Sequence, residues 1–120
     1  MRNGEKMKKK TNPKILKLIE ELSNKKEKIW KDIAERLSKP RRNYAVVNIA
    51  EINRYGKNGD VIIVPGKVLG YGDLDKKIIV SALSFSSEAR KKIIGAKGKC
   101  LEMEELLKEN PKGSNTRIFG

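Results

Sequence analysis

The run from Gly59 to Gly72 reads Gly-Asp-Val-Ile-Ile-Val-Pro-Gly-Lys-Val-Leu-Gly-Tyr-Gly, and no other segment restricts the fold as tightly. Val61–Val64 are consecutive β-branched residues, the composition of a strand. Pro65 has no amide hydrogen for a sheet ladder and predicts the strand's end. Beyond it, Gly66, Gly70 and Gly72 punctuate a loop carrying Lys67. Glycines there admit positive φ and close backbone approach, so the loop suits a phosphate-rich ligand.

Upstream of this strand the periodicity is helical. Asn12 is a good N-cap and Pro13 fits the first helical position, with Ile15, Leu18, Ile19 and Leu22 marking one buried face. A second helix is predicted over about Lys28 to Ser38, with Ile29, Trp30, Ile33, Ala34 and Leu37 as its apolar stripe. Trp30 among these aliphatic neighbours reads as core rather than as a surface for stacking bases. Pro40 stops that helix and predicts an extended stretch through Lys39-Pro40-Arg41-Arg42-Asn43-Tyr44. Ala45–Val47 is strand-like, whereas Ile49 and Ile52 fit a short helical turn, and Asn58-Gly59-Asp60 supplies turn chemistry.

Downstream, a buried strand is expected near Ile78 to Leu83. Ser86 caps a helix over about Ser87 to Ile94, broken by Gly95 and Gly98. Glu102, Glu104 and Glu105 open another helix whose Met103, Leu106 and Leu107 face inward. These acids complement the helix dipole and lack the convergent partners of a metal site. A last strand is expected over Thr116 to Phe119. Alternating strands and helices predict the α/β class.

Charge limits the partners. Lysine and arginine number 28 against 15 acidic residues, a net charge of +13 in 120 residues, and histidine is absent. Such a field draws polyanions, and release of their condensed counterions drives binding. An anionic membrane surface would respond to the same charge. However, no apolar run approaches the roughly 20 residues that span a bilayer, and the lysine-rich start lacks the apolar stretch of a secretory signal. A cytoplasmic protein is expected.

Catalytic chemistry finds little support. Imidazole bases and metal ligands are excluded outright, and Cys100 stands alone, reading as a small buried hydrophobe. Neither a Walker loop nor a dinucleotide fingerprint is present. The rival readings are a small phosphate-handling enzyme built on Lys67 and a basic peripheral membrane protein, whose helices would need an exposed apolar face. Polyanion contacts are assigned instead to Lys39, Arg41, Arg42 and Lys67, since arginine forks match phosphate oxygens. Lys8, Lys9 and Lys10 belong to a basic N-terminal arm, residues 1–11, trimmed if Met7 is the true start. Arg54, Lys57 and Arg117 are weaker candidates for contact with a polyanion. Aromatic content of 5% argues for recognition by shape and phosphate rather than an extended stacking platform.

Blocks in order along the chain match a known family. Thr11-Asn12-Pro13, Lys39-Pro40-Arg41-Arg42, Val47-Asn48-Ile49, the Val64–Gly72 loop, Phe85-Ser86 and Asn110-Pro111-Lys112-Gly113-Ser114-Asn115 together resemble large-subunit ribosomal protein eighteen of archaea and eukaryotes. That family is itself similar to bacterial large-subunit protein fifteen through the Pro-Gly-Lys-Val-Leu-Gly segment. The resemblance runs from about Thr11 to Gly120 and looks archaeal. It implies an irregular α/β superhelix of strand and helix turns, and a single domain over residues 12–120 with a helical, basic part to 44 and an α/β part from 45. It also implies a non-catalytic place in the large ribosomal subunit. The partners would be large-subunit ribosomal RNA and neighbouring ribosomal proteins, with no cofactor, metal or small-molecule substrate. One departure falls on a turn: where relatives often carry Ala-Gly-Gly, this chain reads Ala96-Lys97-Gly98.

Overall fold

The computed structural model describes residues 13–113 and 115–120. Asn12 and the arm residues Lys8, Lys9 and Lys10 lie outside the described residues.

Helices α1 (Pro13–Ser23) and α2 (Lys28–Leu37) pack together as a hairpin. Leu18 and Leu22 are buried from α1, and Trp30, Ile33, Ala34 and Leu37 from α2, the stripes that the periodicity gives. Trp30 is fully buried and its indole Nε1 donates to the Pro111 carbonyl at 2.7 Å, so it is core and unavailable to a base.

The rest is strand and helix in alternation: β1 (Ala45–Asn48), α3 (Ile49–Tyr55), β2 (Val61–Leu69), β3 (Ile79–Phe85), α4 (Ser87–Gly95), β4 (Lys99–Leu101), α5 (Met103–Glu109) and β5 (Thr116–Ile118). Among the described residues every strand pairing is parallel. The order is β1-β2-β3-β4, and β5 returns to pair with β2. Thus β2 is central, and β5 lies against Val61–Ile63 while β1 lies against Gly66–Leu69. This is the expected α/β class.

Successive side chains of a strand face opposite ways, and two cores result. Ile63 and Leu101 join α1, α2 and α5 in one. Ile62, Val64, Val68, Val80 and Ala82 join Ile49 and Ile52 of α3 with Ala89 and Ile93 of α4 in the other. Ser81 is fully buried in β3, and its hydroxyl finds no hydrogen-bond partner among the described residues.

Local capping agrees with the sequence. The Ser86 Oγ accepts from the Ala89 amide at 3.1 Å. Glu51 and Glu105 each reach back to a backbone amide ahead of their helices, those of Asn48 at 3.3 Å and Glu102 at 2.9 Å.

Three expectations are corrected. Pro65 does not end β2; the strand continues to Leu69, and the proline sits at an irregularity between Val64 and Lys67, where a missing amide hydrogen is tolerated. Gly66 and Lys67 are therefore strand residues, and among the loop's glycines only Gly72 has positive φ, at 102°. Gly66 instead permits close packing: a Cβ there would lie 1.9 Å from the Ala45 carbonyl oxygen of β1. Arg41–Asn43 is not extended but a 3-10 turn. Pro40 ahead of it and Tyr44 after it keep extended ψ values of 145° and 149°, and the turn closes through Asn43 N–H to Pro40 O at 2.8 Å and Tyr44 N–H to Arg41 O at 2.9 Å.

Candidate nucleic-acid interface

A groove of about 620 Å³ opens between α1, the Arg41–Asn43 turn, β2 and the start of α5. Arg41 and Arg42 enter from the turn and Lys67 from β2, where it pairs in register with Val46 of β1 and Ser84 of β3. Segments more than twenty residues apart in sequence thus meet at one place. The turn is held firmly, because Tyr44, which follows it, donates its hydroxyl to the Leu37 carbonyl at 2.7 Å. Burial raises the Tyr44 hydroxyl above its ordinary pKa, and the nearby Arg41 guanidinium offsets only part of that, so it remains a proton donor.

The charges in the groove are unequal in their availability. Among the described residues the ion pairs are Lys14–Glu102 at 3.5 Å, Arg36–Asp32 at 3.1 Å, Lys92–Glu88 at 3.9 Å and Arg117–Asp60 at 3.1 Å. Arg41, Arg42 and Lys67 belong to none of them and are all exposed. No acidic side chain among the described residues neutralises them. Glu102 and Glu104 also line the groove, and Glu102 is taken by Lys14 of α1.

Other candidates fall elsewhere. Lys39 is exposed just before the turn. Arg54, Lys57 and Arg117 gather at the far end of β2, about 20 Å from Lys67 at strand spacing. There Arg54 lies 5.3 Å over the Tyr55 ring, and the Lys57 amide donates to Asp60 Oδ2 at 2.9 Å. Arg117 is occupied by the fold itself: it reaches Asp60, the Tyr55 carbonyl at 2.9 Å and the Phe119 ring at 5.3 Å. The structure brings Arg41, Arg42 and Lys67 together and leaves these three apart.

Sequence reasoning misses Lys14, Tyr44 and Lys92. Lys14 reads as part of the wet side of α1, and only tertiary packing sets it on the groove. Lys92 Nζ donates to the carbonyls of Gly70 and Gly72 and clamps the glycine turn, a link of 20 or more residues with no local signal. Cys100 is half-buried, and its thiol is pushed up by desolvation against a smaller opposing effect of Arg90. Among the described residues no cluster of histidine, cysteine or carboxylates is placed to hold a metal ion, and no helix is long and apolar enough to cross a membrane.

Known proteins decide the family. The sequence pattern of the family described as "Ribosomal protein 60S L18 and 50S L18e" matches residues 2–120. The chain belongs to this family. The large ribosomal subunit protein eL18 of Methanoregula boonei is 54% identical over 114 residues, covering 92% of this chain and 94% of the relative. The proteins of the same name from Methanospirillum hungatei and Archaeoglobus fulgidus are 51% and 49% identical, each again over 92% of this chain. The family is one of ribosomal proteins and not of enzymes, which removes the phosphate-handling enzyme as a rival.

Proposed function

We propose that this chain is a structural constituent of the large ribosomal subunit in the cytoplasm, binding large-subunit ribosomal RNA chiefly through Arg41, Arg42 and Lys67. The supporting observation is that these three exposed cations converge on one groove and have no acidic partner among the described residues. Each neutralises a phosphate and releases condensed counterions. The 3-10 turn and the Tyr44 hydrogen bond fix the backbone that carries the arginines before RNA arrives, so the freedom lost on binding is mainly that of their side chains. Lys39 extends the face, and Lys8, Lys9 and Lys10 act as an arm beyond the folded unit 12–120. Arg54 and Lys57 form a second, weaker contact at the other end of β2. Neighbouring ribosomal proteins cover part of the remaining surface.

The test is salt dependence. Replacing Arg41 and Arg42 by Ala removes two phosphate contacts and flattens the log–log slope of affinity against salt by about 1.4–1.8. An unchanged slope refutes the role of the pair.

A further inference from the structure

The groove carries two chemistries, and phosphate contact uses only one. Beside the cations, Val46 is 60% exposed on the edge strand β1, and part of the Tyr44 ring faces the same space. Tyr44 is pinned by its hydroxyl and its amide, so the ring offers a fixed surface. Apolar surface gives nothing to a phosphate oxygen, whereas the flat face of a nucleobase packs on it well. Glu104 also lines the groove and makes no ion pair among the described residues. A carboxylate repels an RNA backbone but accepts hydrogen bonds from base N–H groups. The volume, about 620 Å³, lies within the ~300–1,000 Å³ of pockets that enclose small ligands, and a duplex keeps its bases stacked inside.

We infer that the groove takes an unpaired nucleotide turned out of the RNA. Its phosphate rests on Arg41, Arg42 and Lys67, its base on Tyr44 and Val46, and its N–H edge faces Glu104. The inference rests on the RNA-binding reading above and specifies what that site holds.

The test irradiates the full chain bound to purified archaeal large-subunit RNA with ultraviolet light, then maps peptide–nucleotide adducts by mass spectrometry and reverse transcription. The expected result is an adduct within residues 41–46 on a nucleotide that chemical probing finds unpaired. Val46→Asn is expected to weaken binding about tenfold, the size of one lost stacking contact, with the salt slope intact because no charge is added beside Lys67. Val46→Thr is the control and stays near wild type. Adducts at paired nucleotides, no adduct in the 41–46 segment, or undiminished affinity in Val46→Asn would overturn the inference while leaving salt-dependent RNA binding in place. Cross-links from this segment to another ribosomal protein in intact subunits overturn it as well. Absence of any salt-dependent binding overturns the RNA reading itself.

Discussion

Gly66→Ala distinguishes a glycine needed for packing from one needed for a ligand. Gly66 pairs with Ala45 across the parallel β1–β2 ladder, and a methyl group there would sit 1.9 Å from the Ala45 carbonyl oxygen and 2.7 Å from its nitrogen. Both atoms are backbone, so no rotamer change relieves the contact. To reach the 3.0 Å below which real Cβ contacts essentially never occur, β1 must retreat by about 1 Å. Overpacking of this kind costs about 1–3 kcal/mol, and each ladder bond weakened by the retreat adds about 1 kcal/mol. A loss of about 3 kcal/mol is expected. With a urea m-value of about 2 kcal/mol/M, the unfolding midpoint falls by about 1.5 M. Circular dichroism during urea titration reads the midpoint, and RNA affinity is measured in parallel well below it. If the midpoint holds while RNA binding disappears, Gly66 exists for the approach of a phosphate and the packing account is wrong.

Other consequences can be measured on the same preparation. Lys97 adopts a positive φ of 70°, which costs a residue with a side chain about 1–2 kcal/mol; Lys97→Gly relieves that strain, and the greater freedom of its unfolded chain offsets part of the gain. A net gain of about 0.5–1 kcal/mol is expected, seen as a rise of about 2–4 °C in Tm; a fall contradicts the strain. Ser81→Ala removes a buried hydroxyl without a partner, so stability should stay level or improve by up to about 1 kcal/mol, and a clear loss would reveal a partner that the fold does not account for. Burial holds the Cys100 thiol above its usual pKa despite Arg90. Less thiolate is therefore present in mildly alkaline buffer, and iodoacetamide should label the folded chain more slowly than the urea-unfolded chain; equal rates would sink this.

What the sequence discloses, and what it hides, follows from the range of the interactions. The stripe Trp30, Ile33, Ala34, Leu37 and the Ser86 cap are legible because their partners lie three or four residues away. Asn58-Gly59-Asp60 is legible as a turn for the same reason, with Gly59 at φ 89°. Pro65 misleads because a proline marks either a strand end or a tolerated irregularity, and only the register with β3 separates these. Gly66 misleads further, since its close neighbour Ala45 is distant in sequence. At the site, Arg41, Arg42 and Lys67 can each be singled out by local chemistry, but their convergence cannot. Arg117 shows the reverse: a basic residue in a basic chain, it carries no mark that Asp60 already holds it.

The return of β5 to β2 has a bearing on synthesis. Thr116–Ile118 is what seals the Val61–Ile63 side of the central strand, so a nascent chain halted before those residues shows an open row of main-chain amides next to Ile63. Such a row invites foreign strands to attach. That edge of the sheet is therefore closed only once Thr116–Ile118 are in place, so the residues that finish the fold also guard its central strand.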